Sequence, residues 1–319
     1  MFDKISAFEK TNLINDLLFS AGKTYWNWQL SYNNLQVLQN SIIVAQQRFE
    51  SVKRTAELGD RPYIDTVEAN IQLQERLISF QQAQLEYKTQ SLFLSNFLWI
   101  DNNTPIELTD KTIPEVNTNE NVSKSFFEES ANNLFDTISS DHPLLKTYEL
   151  KIKQNEIDRK LKQDKLKPQL NFNYNPLYNS NNINLSDFNN YKWGFTLSFP
   201  LFLRKERGEL KLSKIKLENA KLENYYKRNE LNNKSKIVSN EIKSLKNQYL
   251  LYNKNVKNYE QLWLAEKSIF ESGESSLFLI NSREMSYINS QLKLNEIIVK
   301  YKKSFLELSH TLGLISNDN

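Results

Sequence analysis

The sequence of 319 residues contains no cysteine, which excludes disulfide bonds, thiolate chemistry and Cys-ligated zinc together. Glycine and proline are scarce, with six and seven residues, and no proline follows Pro200. Because these two residue types are the main helix breakers, their scarcity predicts long uninterrupted helices. No run of about 18 apolar residues occurs, so we expect no transmembrane helix.

The charged residues show no excess of one sign that would identify a partner. The chain has 41 basic and 38 acidic residues, a formal net charge of +3, and they are spread along its length. Nucleic acid binding relies on clustered basic residues, so no nucleic acid partner is expected. The first 24 residues lack the basic-then-apolar plan of a secretory signal peptide, and we expect no export signal in the chain as given.

Apolar residues recur at alternating four- and three-residue spacings in the second half of the chain. The longest run is Val238, Ile242, Leu245, Tyr249, Tyr252, Val256, Tyr259 and Trp263. This spacing is that of a coiled-coil seam. With no helix breaker between Gly208 and Gly273, it predicts a helix of roughly 60 residues, about 90 Å long.

The same spacing predicts three more long helices. Its other runs are Leu294, Ile298, Tyr301, Phe305, Leu308 and Leu312; Leu73, Leu77, Phe80, Gln84, Tyr87, Ser91, Leu94 and Leu98; and Ala21, Tyr25, Trp28, Tyr32 and Leu35. A lone glycine, Gly59 or Gly273, joins the helices of each pair and can adopt the positive φ of a helix end. We therefore predict two helical hairpins, and the 214 residues between the glycines indicate a duplicated half-protein.

The segment between the halves is polar and contains Pro105 and Pro114. We interpret residues 101–141 as a connector that holds one short helix over 126–135. A longer helix is predicted from His142-Pro143 to about Leu166, with Asp141 as its N-cap and the proline in its first turn.

A period of two replaces the helical period between Pro168 and Pro200. Polar residues alternate with the apolar positions Leu170, Phe172, Tyr174, Tyr191, Trp193, Phe195, Leu197 and Phe199. This pattern predicts a β-hairpin with one apolar face, closed by an exposed loop over 179–190. Each run spans about 9–11 residues with its flanks, the length that crosses an outer membrane.

The apolar face of this hairpin has two interpretations. A water-soluble hairpin would pack the face on a protein core, whereas a membrane hairpin would turn it to lipid. The flanking coiled-coil helices are rich in Lys and Asn on their outer surfaces and offer little apolar cover. We favour lipid, and the aromatic residues near the ends of the second strand, Tyr191 and Phe199, also suit a membrane interface.

Taken in order, these segments resemble the TolC-like outer membrane efflux proteins over nearly the whole chain. The resemblance is carried by Ile64-Asp65 and Glu68-Ala69 after Gly59, His142-Pro143, Lys167-Pro168, Leu197-Ser198-Phe199-Pro200-Leu201-Phe202, and Phe270-Glu271-Ser272-Gly273-Glu274. It implies a mainly α fold of long antiparallel coiled-coil helical hairpins plus one β-hairpin that contributes to a trimeric outer membrane β-barrel. The expected segments are a first-half helical hairpin (1–100), a polar equatorial connector (101–141), a helix (142–167), a membrane β-hairpin (168–203) and a second-half helical hairpin (204–319).

The resemblance also implies a function, that of a passive export duct in the outer membrane with a periplasmic extension. Such a channel serves a tripartite efflux or type I secretion system. The implied partners are two further copies in a homotrimer, a periplasmic adaptor protein and through it an inner-membrane pump, and outer membrane lipid. A complete member of the family begins with a signal peptide, an opening helix and a first strand pair, so we expect an N-terminally truncated protomer.

In this family the hairpin tips form a gate at the periplasmic entrance, held by charged contacts. The candidate tip residues here are Gly59, Arg61, Asp65, Phe270, Gly273 and Glu274. Phe270 stands where a tyrosine is expected and Ser275 where an arginine is expected, and Leu279 and Ser282 replace aspartates, so the gate is only partly represented. The alternative for Arg61, Asp65 and Glu274 is solvated charge near a helix start, favoured for the acids by the helix dipole.

No pattern in the sequence predicts catalysis, a cofactor or a metal site. The only histidines, His142 and His310, lie in different segments without the carboxylate spacing of a zinc site. Neither a nucleophilic triad nor a glycine-rich phosphate loop can be assembled. We expect no enzyme; the alternative to a channel is a periplasmic or soluble coiled-coil protein with an interaction or structural role and no transport.

Overall fold

The computed structural model describes residues 2–100, 104–109, 111–115, 141–176, 191–198 and 202–315. Its elements in chain order are α1 (Phe2–Glu57), α2 (Tyr63–Ser95), β1 (Trp99–Ile100), β2 (Thr104–Pro105), α3 (Pro143–Asp164), β3 (Gln169–Pro176), β4 (Tyr191–Ser198), α4 (Arg204–Glu271) and α5 (Leu277–Leu312). The predicted mainly α class with a strand hairpin is confirmed. The predicted short helix over 126–135, the loop over 179–190 and Phe199 lie outside the described residues.

The chain divides into two compact units. One comprises residues 1–12 and 139–230, and the other residues 13–138 and 231–319. The first holds α3, the β3–β4 hairpin and the beginning of α4. The second holds α2, α5 and most of α1 and α4.

In the second unit, α1 and α2 form the first predicted helical hairpin. Val52 and Ala69 share a buried cluster near the turn at residues 58–62. Farther from the turn, the Trp28 indole N–H donates to Ser91 Oγ at 2.9 Å. In each contact the two residues lie at similar distances along the chain from the turn, which is the pattern of an antiparallel helix pair.

Helices α4 and α5 form the second hairpin in the same way. Tyr249 of α4 is buried against Leu294 and Ile297 of α5, and farther from the turn Lys234 Nζ lies 3.3 Å from Glu307 Oε1. Helix α4 has 68 residues and begins at Arg204. The sequence predicted a helix between Gly208 and Gly273, so the observed helix also includes Gly208. An interior glycine costs a helix only about 1 kcal/mol, which a helix with this much packing tolerates.

Helix α2 departs from its predicted seam. Leu77 is 40% exposed, whereas the neighbouring Arg76 is 4% exposed. The reason is that α2 packs against α5 as well as α1, so its buried face is not the narrow stripe of a two-helix coiled coil.

In the first unit, the N-cap of α3 lies one residue later than predicted. His142 is the N-cap, and its Nδ1 accepts a hydrogen bond from the Leu144 N–H at 3.2 Å. The prediction that Asp141 caps the helix is wrong; its carboxylate instead lies 3.3 Å from Lys146 Nζ. Pro143 occupies the first helical position, which suits its fixed φ and missing N–H, so the residue directly before it becomes the cap.

The strands β3 and β4 pair in antiparallel register. Leu170 faces Leu197, Phe172 faces Phe195 and Tyr174 faces Trp193. The apolar residues of both strands therefore share one side of the hairpin, as predicted. In the second unit the short strands β1 and β2 form a further antiparallel pair that the sequence pattern did not predict. None of the described helices is both long enough and apolar enough to cross a bilayer.

Candidate functional site

The tip of the first helical hairpin is closed by a left-handed glycine. Gly59 has a φ of 84°; its N–H donates to the Ala56 carbonyl at 3.1 Å, and the Asp60 N–H donates to the Thr55 carbonyl at 3.0 Å. These two bonds form a Schellman motif, which satisfies carbonyls at the helix end. A Cβ added at Gly59 would meet no atom within 4 Å. The backbone conformation, rather than crowding, therefore requires glycine here.

The tip of the second hairpin repeats this geometry. Gly273 has a φ of 81° and also has open space around its Cα, and the same pair of backbone hydrogen bonds closes the end of α4. The following helix α5 is capped by the Ser276 hydroxyl, which accepts from the Leu279 N–H at 3.3 Å. The two tips are thus built alike, which agrees with the duplication inferred from sequence.

Arg61 joins the two tips. Its guanidinium lies over the Phe270 ring, 4.3 Å from the ring centroid, and its Nη1 lies 3.6 Å from Asp65 Oδ2. A cation–π contact of this kind contributes about 0.5–2 kcal/mol, and a partly exposed ion pair contributes about 1 kcal/mol or less. Three of the six predicted tip residues are therefore in one contact group.

Glu274 lies outside this group. Its carboxylate is exposed and forms no ion pair with any described residue, and only its backbone N–H contributes to the turn. Glu274 thus adds an exposed, unpaired carboxylate to the second tip, whereas Arg61 and Asp65 are paired.

A buried ionic cluster lies among the helices that form the tips. Arg48 of α1 forms an ion pair with Glu284 of α5, with side chains 9% and 3% exposed. Arg48 Nη1 also donates to Asn281 Oδ1 at 2.6 Å. The Glu284 oxygens are not aligned for hydrogen bonding, so the contact is chiefly electrostatic.

Arg76 of α2 completes this ionic cluster, defined here as Arg48, Arg76, Asn281 and Glu284. Burial lowers the pKa of Arg76, and the nearby Glu284 carboxylate opposes that shift. Arg76 Nε has no hydrogen-bond partner among the described residues. One buried carboxylate therefore interacts electrostatically with two buried guanidinium groups from different helices.

The ionic cluster was not predicted from the sequence, although a signal for it exists. Each charged member interrupts a buried stripe at helical spacing: Arg48 lies between Ala45 and Val52, and Glu284 lies between Ile280 and Ile288. A charge at a seam position is costly unless it is paired. Interrupted seams in α1 and α5 thus indicate a buried ion pair, but they do not indicate which helices face each other.

The apolar face of the β3–β4 hairpin is uncovered in the described structure. Its seven described side chains are 49–70% exposed, and they are Leu170, Phe172, Tyr174, Tyr191, Trp193, Phe195 and Leu197. Ring centroids are 5.1 Å apart for Phe172 and Phe195 and 5.6 Å apart for Trp193 and Phe195. The rings thus form one continuous patch, of a kind that water-soluble monomers rarely expose.

The opposite face of the hairpin is polar. Asn171 faces Thr196, Asn173 faces Gly194 and Asn175 faces Lys192. Lys192 is its only charged residue in the described strands. The hairpin therefore separates an apolar side from a hydrogen-bonding side over its whole described length.

The histidines have local roles. His142 caps α3, and His310 Nε2 lies 2.7 Å from Asp16 Oδ1 while its ring stacks on Phe19. In the portion of the chain that the structure describes, no three His, Asp or Glu residues are grouped so as to hold a metal ion.

No protein-family model and no curated protein matches the sequence. Solved structures do match it over 97% of its length. The Campylobacter jejuni CmeC outer membrane channel aligns with a TM-score of 0.76 at 15% identity. The Vibrio cholerae outer membrane protein VceC aligns with a TM-score of 0.77 at 13% identity.

The chain has the TolC-like channel fold. The open state of the Neisseria gonorrhoeae MtrE outer membrane channel also aligns over 97% of this chain, with a TM-score of 0.72 at 12% identity. The chain spans 65% of CmeC, 72% of VceC and 68% of MtrE. The resemblance inferred from sequence is thus confirmed for the fold, and the architecture of these channels combines an α-barrel with a β-barrel.

Proposed function

We propose that this chain is a protomer of an outer membrane efflux channel. In this proposal the β3–β4 hairpin enters the outer membrane, and the helical hairpins extend into the periplasm. The observation that carries the proposal is the uncovered apolar face of seven side chains on a hairpin of the TolC-like fold.

The energetics of this face favour a lipid environment. Burying one fully exposed large apolar side chain contributes about 1.5–3 kcal/mol, so covering seven that are 49–70% exposed amounts to roughly 6–13 kcal/mol. Within the described residues no core is available to provide that cover. Lipid supplies it, while the polar face with its asparagines is suited to a water-filled lumen.

The same hairpin needs further strands beside it. A bilayer cannot hydrogen-bond the unpaired N–H and C=O groups at the two outer edges of a two-stranded sheet, and each such group costs several kcal/mol. Strands from neighbouring copies would pair with these edges and close a barrel. This supports a homotrimer as the working assembly.

The helical tips supply the surface for a second partner. Leu58, Tyr63, Ile64 and Phe278 are exposed at the two tips, and Glu274 adds an exposed charge. In our proposal this surface docks on a periplasmic adaptor that connects the channel to an inner-membrane pump. Gly59, Arg61, Asp65, Phe270 and Gly273 form the gate region, and transport through the duct is passive, without catalysis.

The proposal is tested by placing a carboxylate on each face of strand β4. Phe195→Asp puts it on the apolar face, whereas the matched control Thr196→Asp puts it on the polar face. We expect Phe195→Asp to reduce the fraction of protein in outer membranes and the yield of crosslinked trimer, because a charge facing lipid costs on the order of 2 kcal/mol. Thr196→Asp should leave both unchanged.

Equal assembly of the two variants would contradict lipid contact. That result would favour the alternative of a soluble coiled-coil protein with an interaction or structural role. Circular dichroism of both variants checks that the helices remain folded.

A further inference from the structure

A cavity of about 430 Å³ lies between α1, α2 and α5, and is called here the interhelix cavity. On each helix, the lining residue nearest the tip along the chain is Leu38, Arg76 or Met285. From these residues the cavity continues away from the tips, as far as Glu86 on α2 and Leu292 on α5. Arg76 therefore belongs both to the ionic cluster and to the end wall of the interhelix cavity.

The hydrogen-bonding capacity of Arg76 is unused within the described structure. The residue is 4% exposed, and its guanidinium donates no hydrogen bond to any residue that the structure describes. Nearly all buried polar groups in proteins have a partner, either in the protein or in something bound to it. The interhelix cavity is a space in contact with Arg76 that can hold such a partner.

The charge of the ionic cluster also favours an anion beside Arg76. Two buried guanidinium groups, those of Arg48 and Arg76, share the single buried carboxylate of Glu284, which leaves an excess of one positive charge. A charge is costly to bury unless it is neutralised. Glu75 is exposed to water, and Glu86 is exposed and lies about 15 Å farther along α2, so neither neutralises the guanidinium.

The other polar groups of the wall favour a carboxylate over a phosphate. Ser31 and Ser79 donate their hydroxyl protons to carbonyl groups of their own helices, at 2.8 and 2.9 Å. Asn34 Oδ1 accepts from Asn295 Nδ2 at 3.1 Å, which leaves the Asn34 amide nitrogen as a donor. A planar carboxylate matches the paired N–H groups of a guanidinium. Phosphate has a second charge and more oxygens than these few donors can satisfy.

The rest of the wall is largely apolar. Met285, Ile288 and Leu292 line the cavity at positions i, i+3 and i+7 of α5, so they form a row along one face of the helix. This row starts at the guanidinium end and runs away from it for about 10 Å. Ala83 of α2 adds a small apolar side chain to the wall. The cavity volume lies within the range of cavities that hold small organic molecules.

We propose that the interhelix cavity binds a small organic monocarboxylate, with its carboxylate on Arg76 and its hydrocarbon chain along the row of Met285, Ile288 and Leu292. Such a ligand neutralises the excess charge of the ionic cluster and contacts three helices at once. The cavity lies wholly within the helical unit, so its occupancy does not require lipid contact by the β3–β4 hairpin.

Binding of radiolabelled hexanoate to the full chain in detergent tests this site, measured by equilibrium dialysis with protein-free detergent as the blank. The test variants are Arg76→Met, which removes the guanidinium, and Ala83→Phe, which fills the cavity. The matched controls Arg54→Met and Gln84→Phe make equivalent changes at exposed positions of α1 and α2 outside the cavity wall. Circular dichroism checks that each variant is folded.

The wild type should bind one hexanoate per chain. Arg76→Met should weaken binding roughly tenfold to a hundredfold, because it removes charge-assisted hydrogen bonds, and Ala83→Phe should weaken it by a similar factor through steric exclusion. The two controls should bind as the wild type does. Acetate, hexanol and inorganic phosphate, compared at matched ionic strength, should each displace hexanoate far less well than unlabelled hexanoate, since each lacks either the chain or the carboxylate.

Binding that does not saturate at one hexanoate per chain, or equal binding by the wild type and a folded Arg76→Met, would overturn the site. Equal displacement by hexanol would show an apolar cleft that does not use the guanidinium, and equal displacement by acetate or phosphate would show a general anion site. If Arg76→Met loses its helical signal, Ala83→Phe and the comparison of hexanoate with hexanol decide the question.

Discussion

The Glu284 carboxylate is the acidic centre of the ionic cluster. It is buried beside Arg48 of α1 and Arg76 of α2, while it belongs to α5. Removing one partner of a buried ion pair leaves the other charge uncompensated in the protein interior, which solvates charge poorly. The cluster is therefore the polar contact most able to hold the two helical hairpins in one arrangement.

We predict that Glu284→Gln lowers the free energy of unfolding by about 3–5 kcal/mol. Urea unfolding followed by circular dichroism measures the change. The control is Glu274→Gln, which removes an exposed carboxylate near the tip and should change stability by about 0.5 kcal/mol or less. Similar effects from the two substitutions would show that the ionic cluster does not stabilise the fold.

A double-mutant cycle with Arg48→Met separates pairing from loss of a side chain. If the ion pair couples α1 to α5, the double variant will lose less stability than the sum of the two single losses. Additive losses would mean that the two residues act independently.

Lys302 of α5 is a buried charge outside the ionic cluster. Its Nζ lies 3.4 Å from Gln29 Oε1 and 4.3 Å from the centroid of the Trp26 ring. Burial lowers the pKa of Lys302 to about 8, and Glu115 opposes the shift. The folded state therefore loses this proton at a lower pH than the unfolded chain, in which a lysine titrates near 10.4.

We predict that stability rises as the pH is raised from about 8 toward 10. Between pH 8 and about 10.5 the unfolded chain binds more protons at Lys302 than the folded chain does, so raising the pH favours folding. The contribution is on the order of 3 kcal/mol, from about 1.4 kcal/mol per pKa unit. From about pH 10 upward, the unfolded chain begins to lose the protons of Tyr287 and Tyr301, whose pKa values in the folded chain burial raises to about 12, and the trend reverses.

Unfolding measured across this pH range in Lys302→Met should show a flatter rise than the wild type. Lys300→Met, which changes an exposed lysine of the same helix, should keep the rise. An unchanged slope in Lys302→Met would exclude Lys302 as its source.

At the scale of elements, substitution of glycine by alanine is expected to destabilise the protein at two positions and to stabilise it at a third. Gly59 and Gly273 end helices at positive φ, whereas Gly208 lies inside α4, and a Cβ would meet nothing within 4 Å at any of the three. A left-handed conformation costs a residue with a side chain about 1–2 kcal/mol. Alanine in a helix interior is instead about 0.5–1 kcal/mol better than glycine.

Gly59→Ala and Gly273→Ala should therefore each lower the midpoint of thermal unfolding, and Gly208→Ala should raise it. The three variants share one chemical change, so only the backbone conformation distinguishes them. Stabilisation by Gly59→Ala or Gly273→Ala would contradict the assigned left-handed turns.

The elements that the sequence predicted well are those with a local signal. Alternation places the apolar residues of β3 and β4 on one face, and a turn glycine marks each helix end, so neighbouring residues suffice to identify both. The N-cap of α3 was predicted one residue too early, because His142 and Asp141 are both able to cap a helix before Pro143. Local preference did not separate them.

The contacts that the sequence did not predict join distant segments. Arg48 and Glu284 are 236 residues apart, and no periodicity shows which helices face each other. The burial of Arg76 in place of Leu77 has the same cause, because a third helix widens and turns the buried face of α2. Packing between helices, rather than propensity within one, decided these positions.

At the scale of the whole molecule, the two units carry different surfaces. The unit with the strand hairpin presents an uncovered apolar face, and the unit with the helical tips presents paired charges and exposed apolar side chains. The order of these parts along the chain was predictable from sequence. In the proposed channel, one of these surfaces would contact lipid and the other a protein partner.

The central claim is that the apolar face of β4 contacts lipid, and spin labelling tests it most directly. Because the chain has no cysteine, Phe195→Cys and Thr196→Cys each provide one labelling site on opposite faces. In membranes that contain the protein, the label at 195 should be accessible to oxygen and shielded from a water-soluble nickel chelate, and the label at 196 should show the reverse. A label at 195 that meets the chelate as readily as the label at 196, or that is shielded from both reagents, would contradict the account.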